Sequence, residues 1–131
     1  MKTIWAVLAV VVFSVAAFTA GYYLGATVSQ KSSFVVVDDY GRTVKLSGVP
    51  DRIVSVAPTP TEILFAVGAG DQVVGVDDYS DYPAEAAALP KVGSYTLNIE
   101  AIIALDPDLI VASDLVPVAQ LEQLSEQGMP Y

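Results

Sequence analysis

The chain has 131 residues with six basic and fifteen acidic side chains, and it contains neither cysteine nor histidine. The missing thiols exclude disulfides, a lipid-modified cysteine and thiol chemistry, and the missing imidazoles exclude the commonest general base and the commonest zinc ligand. A net charge of −9 predicts that the chain repels nucleic acid and anionic lipid.

The chain begins with an apolar run over residues 4–28 that carries no charged side chain. As a helix this run would be about 37 Å long at roughly 1.5 Å per residue, enough to cross a hydrocarbon core of about 30 Å. Lys2 precedes the run, and the polar stretch Gln30-Lys31-Ser32-Ser33 follows it. Residues 1–31 are therefore predicted to be a secretory signal peptide or an uncleaved membrane anchor. The length of the run and its poor cleavage sites favour the anchor.

After this leader, the pattern predicts a β-hairpin followed by alternating strands and helices. The hairpin pairs residues 34–37 with 42–46 across a turn rich in Asp and Gly. The later strands are apolar almost throughout, as strands covered on both faces are, and they are predicted at 53–57, 73–76 and 109–112. Helices are predicted at 60–67, 83–89, 98–105 and 117–127. This alternation predicts an α/β fold with a parallel sheet.

The junction between the strand at 53–57 and the next helix carries several helix-start signals. Thr59 is predicted to be the N-cap, Pro60 suits the first helical position, and Glu62 completes a Thr-x-x-Glu capping box. Gly68 supplies a left-handed end to the helix. In an open parallel sheet such a junction lies at the carboxyl edge, where ligands bind. An ordinary capped helix with no ligand explains the same residues equally well.

A second loop, residues 77–83, follows a strand and leads into a helix from the same edge. Its three carboxylates and two tyrosines suit a cation or a flat ligand. For the carboxylates we favour a solvated loop in which Ser80 or Asp81 caps the next helix. For Tyr79 we favour ligand contact, because a loop tyrosine among polar residues offers a large, rigid surface.

A third loop presents Tyr95 just before Asn98, the predicted N-cap of the following helix. Glu100 lies in the first turn of that helix, where a carboxylate interacts favourably with the helix dipole. The helix is expected to direct four apolar side chains inward: Ile99, Ile102, Ile103 and Leu105.

Together these segments resemble the periplasmic substrate-binding proteins of ABC importers for cobalamin, ferric siderophores and haem. The matching pieces stand in the family's order and cover nearly everything from Val37 to the end of the chain. They are Asp38-Asp39-Tyr40-Gly41-Arg42-Thr43-Val44, Arg52-Ile53-Val54-Ser55, Pro58-Thr59-Pro60-Thr61-Glu62-Ile63-Leu64, Val73-Val74-Gly75-Val76, Tyr82-Pro83, Val92-Gly93, Asn98-Ile99-Glu100 and Leu105-Asp106-Pro107-Asp108-Leu109-Ile110.

The resemblance implies a periplasmic-binding-protein fold with two lobes and a ligand held between them. Residues 32–131 would then be a partial N-terminal lobe, and the joining helix and second lobe would be absent. The ligand-binding residues implied on this lobe are Pro58, Thr59, Thr61, Tyr79 and Tyr95. Glu100 occupies the position of the family's docking acid, which pairs with arginines on the membrane permease.

The resemblance further implies a binding protein rather than an enzyme, with no cofactor apart from the metal chelate that it carries. Its partners would be that chelate, the ABC permease subunits and the membrane through the N-terminal segment, with no nucleic acid. It would be extracytoplasmic, anchored to the cell membrane or secreted after cleavage. Ser113 departs from the cobalamin binders, which often place an aromatic residue after that strand.

Two other functions stay open at this point. A ligand-free, anchored interaction module is the main alternative, because a single lobe cannot close on a ligand. An α/β enzyme is the weaker one, since the sequence offers neither a nucleophile elbow nor a phosphate-binding loop.

Overall fold

The computed structural model describes residues 32–131, so the predicted signal or anchor segment at residues 1–31 lies outside the described part of the chain. The strands are β1 (Phe34–Val37), β2 (Thr43–Leu46), β3 (Ile53–Ser55), β4 (Val73–Val76) and β5 (Leu109–Val111). The helices are α1 (Pro58–Ala66), α2 (Ala84–Ala87), α3 (Ile99–Ala104) and α4 (Val118–Glu126). From residue 32 onward, no helix combines the length and apolar character that a membrane crossing needs.

Strands β1 and β2 pair antiparallel, and a carboxylate organises the turn between them. Asp38 Oδ1 accepts hydrogen bonds from the backbone N–H groups of Tyr40 and Arg42 at 2.9 and 2.7 Å. Arg42 Nε donates to Asp38 Oδ2 at 2.5 Å, and the same guanidinium lies 4.3 Å from the ring centroid of Tyr131. Partial desolvation opposes ionisation of Asp38, but the hydrogen bonds and the charge of Arg42 outweigh it and lower the pKa of this carboxyl.

The central sheet is parallel, with strand order β4-β3-β5. Residues 90–92 extend it beyond β4, because the N–H of Val76 donates to Pro90 O and the N–H of Val92 donates to Val76 O. At the opposite edge, the N–H of Ile110 donates to Pro130 O. The α/β fold with a parallel sheet that the strand and helix alternation predicts is therefore confirmed.

The two faces of this sheet differ in chemistry. Successive residues of a strand point to opposite faces, and in β3 Val54 joins an apolar cluster with α3 and α4, whereas Ser55 hydrogen-bonds to α1. The apolar cluster consists of Val54, Val56, Val92, Leu97, Ile102, Ile110, Val116, Leu121, Leu124 and Met129. Within residues 32–131 the buried polar residues are Ser55, Thr61, Asp77 and Ser80, and hydrogen bonds connect these four to one another on the side of α1.

Helix α1 begins earlier than predicted. Its N-cap is Ala57 and Pro58 takes the first helical position, so Thr59 lies inside the first turn and caps nothing. The predicted Thr59–Glu62 capping box is wrong, because no side chain caps this helix and the first turn contains no acid. Proline is well suited to the first position, since its missing N–H is unpaired there anyway. The predicted end is confirmed: Gly68 has φ of 84° and its N–H donates to Phe65 O at 3.1 Å.

Two predictions about the later helices are wrong and one is confirmed. Asn98 caps α3, since its Oδ1 accepts the N–H of Ala101 at 3.0 Å. Ile103 does not face the core but is 44% exposed, whereas Ile102 is fully buried. The N-cap of α2 is Pro83 without a side-chain bond, so neither Ser80 nor Asp81 caps that helix.

Candidate functional site

A cleft of about 240 Å³ lies at the carboxyl ends of the parallel strands. Four chain segments line it: residues 56–58 after β3, Tyr79 after β4, residues 94–95 after the strand-like stretch 90–92, and residues 113–116 after β5. Parallel strands bring their carboxyl ends to one edge of a sheet, which is the usual place for ligands in open α/β folds. The loops of Pro58, Tyr79 and Tyr95, predicted to share this edge, therefore do meet.

Tyr79 and Tyr95 form an aromatic wall of the cleft. Their ring centroids are 6.4 Å apart with an interplanar angle of 62°, an edge-to-face arrangement. The two residues are 63% and 68% exposed, so both rings offer most of their surface to the cleft and to solvent. Such surfaces suit a large, flat or partly apolar ligand.

The loop that carries Tyr79 is solvated only in part, since Asp78 and Asp81 are exposed as predicted but Asp77 is not. Asp77 is fully buried; its Oδ2 accepts the N–H of Tyr79 at 3.0 Å and its Oδ1 accepts the hydroxyl of Ser80. Lys91 Nζ reaches the same loop and donates to the carbonyl oxygens of Ser80 and Asp77 at 2.6 and 3.2 Å. These contacts fix the backbone on both sides of Tyr79.

Thr61 lies beneath the cleft rather than on its surface. Its side chain is fully buried, and its Oγ1 lies 2.8 Å from Ser55 Oγ, 2.9 Å from Ala57 O and 2.9 Å from Ser80 Oγ. The structure therefore corrects the expectation of ligand contact for Thr61: its hydroxyl joins α1 to the strand β3 and to the Tyr79 loop. No buried side-chain nitrogen or oxygen in the described residues lacks a hydrogen-bond partner.

The loop that carries Tyr95 depends on a glycine. Gly93 has φ of +85°, and a Cβ at this position would lie 2.3 Å from Thr96 O. Only glycine accommodates both the left-handed backbone and this close approach.

The part of the cleft lining that follows β5 was not predicted. It consists of Ser113, Leu115 and Val116, of which Leu115 is 67% exposed and Val116 is buried. Ser94 also lines the cleft. Ser113, Leu115 and Val116 could have been predicted as lining residues from the sequence, because they lie in the loop that follows a strand of the parallel sheet.

Two predicted site residues lie apart from the cleft lining. Thr59 is exposed on the first turn of α1, one residue beyond Pro58. Glu100 is exposed in the first turn of α3. No group of three carboxylates suited to a metal ion occurs within residues 32–131.

A larger depression of about 490 Å³ lies elsewhere, between the end of α1 and the start of α2. Its lining includes the carboxylates of Glu62, Asp71 and Glu85 and the rings of Phe65 and Tyr82. It is separate from the strand ends, so we assign the candidate binding site to the smaller cleft.

A parallel α/β sheet with an aromatic cleft at its carboxyl edge is the arrangement in which open α/β folds usually bind ligands. Comparison with known proteins identifies the family: residues 53–131 match the model of the periplasmic binding proteins, and the chain belongs to that family. This is a family of binding proteins rather than enzymes.

The similar proteins fall into the class that binds vitamin B12 and haem. A vitamin B12-binding protein of Vibrio parahaemolyticus is 45% identical over 82 residues, which cover 61% of this chain and 30% of that protein. The solved structure of the periplasmic vitamin B12-binding protein BtuF of Vibrio cholerae matches with a TM-score of 0.58 and 45% identity, over 61% of this chain and 32% of that one. The periplasmic haem-binding protein RhuT from Roseiflexus sp. RS-1 matches with a TM-score of 0.58 and 38% identity, over 61% and 32%.

These matches span only about a third of the length of each relative. The family match itself runs from β3 to the last residue and so includes the strands, loops and helices that build the cleft.

Proposed function

We propose that this chain is the extracytoplasmic substrate-binding component of an ABC importer and that its cleft captures a metal chelate of the corrinoid type. The observation that carries the proposal is the pair of exposed tyrosine rings, 6.4 Å apart, that line the same cleft as Pro58 at the carboxyl edge of the sheet. The similarity to vitamin B12-binding proteins supports a corrinoid as the ligand.

The chemistry of the cleft suits such a ligand. A corrin or porphyrin presents a broad face to Tyr79 and Tyr95, and aromatic contacts contribute about 0.5–1.5 kcal/mol each beyond the burial of area. The remaining lining combines the small hydroxyls of Ser94 and Ser113 with apolar Leu115 and Val116. A ferric siderophore is the second ligand class that we propose, because aromatic and hydroxyl groups serve it as well.

In this proposal the whole cleft forms only one side of the complete binding site. Its volume of about 240 Å³ lies below the roughly 300–1,000 Å³ typical of ligand pockets. We therefore propose that residues 32–131 act as one lobe and that a second surface completes the site. The same observation favours the alternative of a ligand-free, anchored interaction module, in which the cleft holds no chelate.

We also propose that residues 1–31 direct the chain out of the cytoplasm, as a membrane anchor or a cleaved signal, and that Glu100 docks on the permease. Glu100 is exposed on α3, away from the cleft lining, so docking and ligand capture use separate surfaces.

Calorimetric titration of the full chain with cyanocobalamin, haemin and a ferric siderophore tests the ligand proposal. We expect saturable binding of cyanocobalamin, weaker than that of a complete two-walled site. If none of the three chelates binds, the ligand-free module replaces the importer component.

Glu100→Lys tests the docking proposal. We expect this variant to bind cyanocobalamin with the affinity of the unchanged chain but to lose most of its stimulation of the permease ATPase, because an arginine partner would meet a like charge. Glu122→Lys, an exposed acid on α4, is the control and should keep its stimulation. Loss of ligand affinity in Glu100→Lys would instead refute the separation of the two surfaces.

A further inference from the structure

One side chain of α4 connects that helix to the loop of the aromatic wall. Gln120 is half-buried in the first turn of α4. Its Oε1 accepts the backbone N–H of Leu97 at 2.6 Å, and its Nε2 donates to the carbonyl oxygen of Tyr95 at 2.9 Å.

Both ends of this amide are used, one as acceptor and one as donor. The side chain thus presents to the Tyr95–Leu97 backbone the same pair of groups that a neighbouring β-strand would present. The two bonded groups lie on either side of Thr96, so together they restrict the backbone on the carboxyl side of Tyr95.

Gln120 joins α4 to the loop of Tyr95 and Leu97, and buried residues hold both of these segments in the core. Leu97 is 5% exposed, and α4 is fixed by the buried Leu121 and Leu124. Val116, just before α4, is a buried residue of the cleft lining after β5. Gln120 therefore sets the position of the Tyr95 wall relative to the wall formed after β5.

We infer that Gln120 is a positioning residue that holds the Tyr95 ring against Tyr79 and so sets the shape of the aromatic wall. Its value for ligand capture rests on the proposed function, but the geometry that it fixes exists without ligand. A residue with no such role would leave the Tyr79–Tyr95 ring contact unchanged when replaced.

The test uses nuclear magnetic resonance on the full 131-residue chain in mild detergent, with the variants Gln120→Ala and Gln120→Glu. Gln123→Ala is the matched control, because Gln123 lies on the same helix and is exposed. The readouts are amide hydrogen exchange at Leu97 and the nuclear Overhauser contact between the rings of Tyr79 and Tyr95.

For Gln120→Ala we expect exchange at Leu97 to accelerate about fivefold or more and the ring contact to weaken. Gln120→Glu keeps the side-chain volume and an acceptor for Leu97 but cannot donate to Tyr95 O. It should therefore preserve protection at Leu97 while still weakening the ring contact. Gln123→Ala should change neither readout.

An unchanged ring contact in both Gln120 variants would overturn the inference, and so would unchanged exchange at Leu97 in Gln120→Ala. Titration with cyanocobalamin tests the positioning role of Gln120 in a second way. If the unchanged chain binds, Gln120→Ala should bind at least about fivefold more weakly, and equal affinity would contradict the positioning role. Absence of binding by the unchanged chain counts against the proposed function alone, since the exchange and ring readouts decide the role of Gln120 without ligand.

Discussion

The two faces of the central sheet differ in the buried polar groups that they hold. Toward α3 and α4, β3 contributes Val54 to an apolar cluster whose members are nearly all buried. Toward α1, the same strand contributes Ser55 to a chain of buried hydroxyls and a carboxylate. The face toward α3 and α4 therefore mainly stabilises the fold, and the face toward α1 mainly fixes the loops at the carboxyl edge of the sheet.

Magnitudes support this division. Full burial of a side chain such as Ile102 contributes about 1.5–3 kcal/mol, and the apolar face repeats this several times. A buried hydrogen bond contributes only about 1 kcal/mol net, because the same groups bond to water in the unfolded chain. However, a hydrogen bond has a direction, and the bonds of Ser80 with Thr61 and Asp77 constrain the Tyr79 loop.

The largest effect is expected on the apolar face. Ile102→Ala should lower the free energy of unfolding by about 3 kcal/mol, because it leaves a cavity among fully buried neighbours. Denaturant unfolding measures this loss. Ile103→Ala is the matched control on the same helix, and its 44% exposure predicts a loss of at most about 1 kcal/mol. Similar losses for the two variants would contradict the assigned orientation of α3.

A smaller loss of stability but a larger local change is expected on the polar face. Thr61→Val keeps the shape of the side chain and removes the hydroxyl, which leaves the hydroxyl groups of Ser55 and Ser80 short of a partner at a cost of about 2 kcal/mol. The exchange of the Tyr79 amide should accelerate more than global unfolding explains. Thr59→Val, exposed on the same helix, should change stability by less than about 0.5 kcal/mol. If Thr61→Val destabilises the chain without loosening the Tyr79 loop, the polar face does not fix that loop.

The smallest effect is expected outside the sheet, in the β1–β2 hairpin. The pKa of Asp38 is lowered below its ordinary value of 3.8, so the ionised carboxylate stabilises the turn above that pH and this stabilisation is lost as the pH falls through the lowered pKa. Acid titration followed by the amide resonances of Tyr40 and Arg42 should show this loss. Asp38→Asn should remove the titration, and an equal acid response in that variant would assign it to other carboxyls.

The sequence predicted the features that depend on neighbouring residues. Gly68 ends α1 and Asn98 caps α3 because both act within one turn of their own position. The parallel sheet followed from apolar runs that alternate with helices. The predicted start of α1 was wrong, because two prolines and two threonines offer competing first turns. In the fold, the buried position of the Thr61 hydroxyl decides between these first turns.

The features that the sequence missed depend on residues distant in the chain. Asp77 was predicted to be solvated because the sequence does not show that Thr61 and Lys91, which belong to other segments, contact its loop in the fold. The exposure of Ile103 was missed because a helix of six residues shows too little of the 3.6-residue period to separate it from Ile102. Nothing in the sequence distinguishes Gln120 from Gln123, although only the former contacts the Tyr95 loop.

Cyanocobalamin binding by variants of the aromatic wall tests most directly whether the cleft captures a corrinoid. Calorimetry should show that Tyr79→Ala and Tyr95→Ala each bind about fivefold or more weakly than the unchanged chain, because each loses an aromatic contact of about 1 kcal/mol. Tyr40→Ala, an equally exposed tyrosine in the hairpin turn, is the control and should bind like the unchanged chain. If all three variants bind as the unchanged chain does, the cleft lined by Tyr79 and Tyr95 is not the binding site.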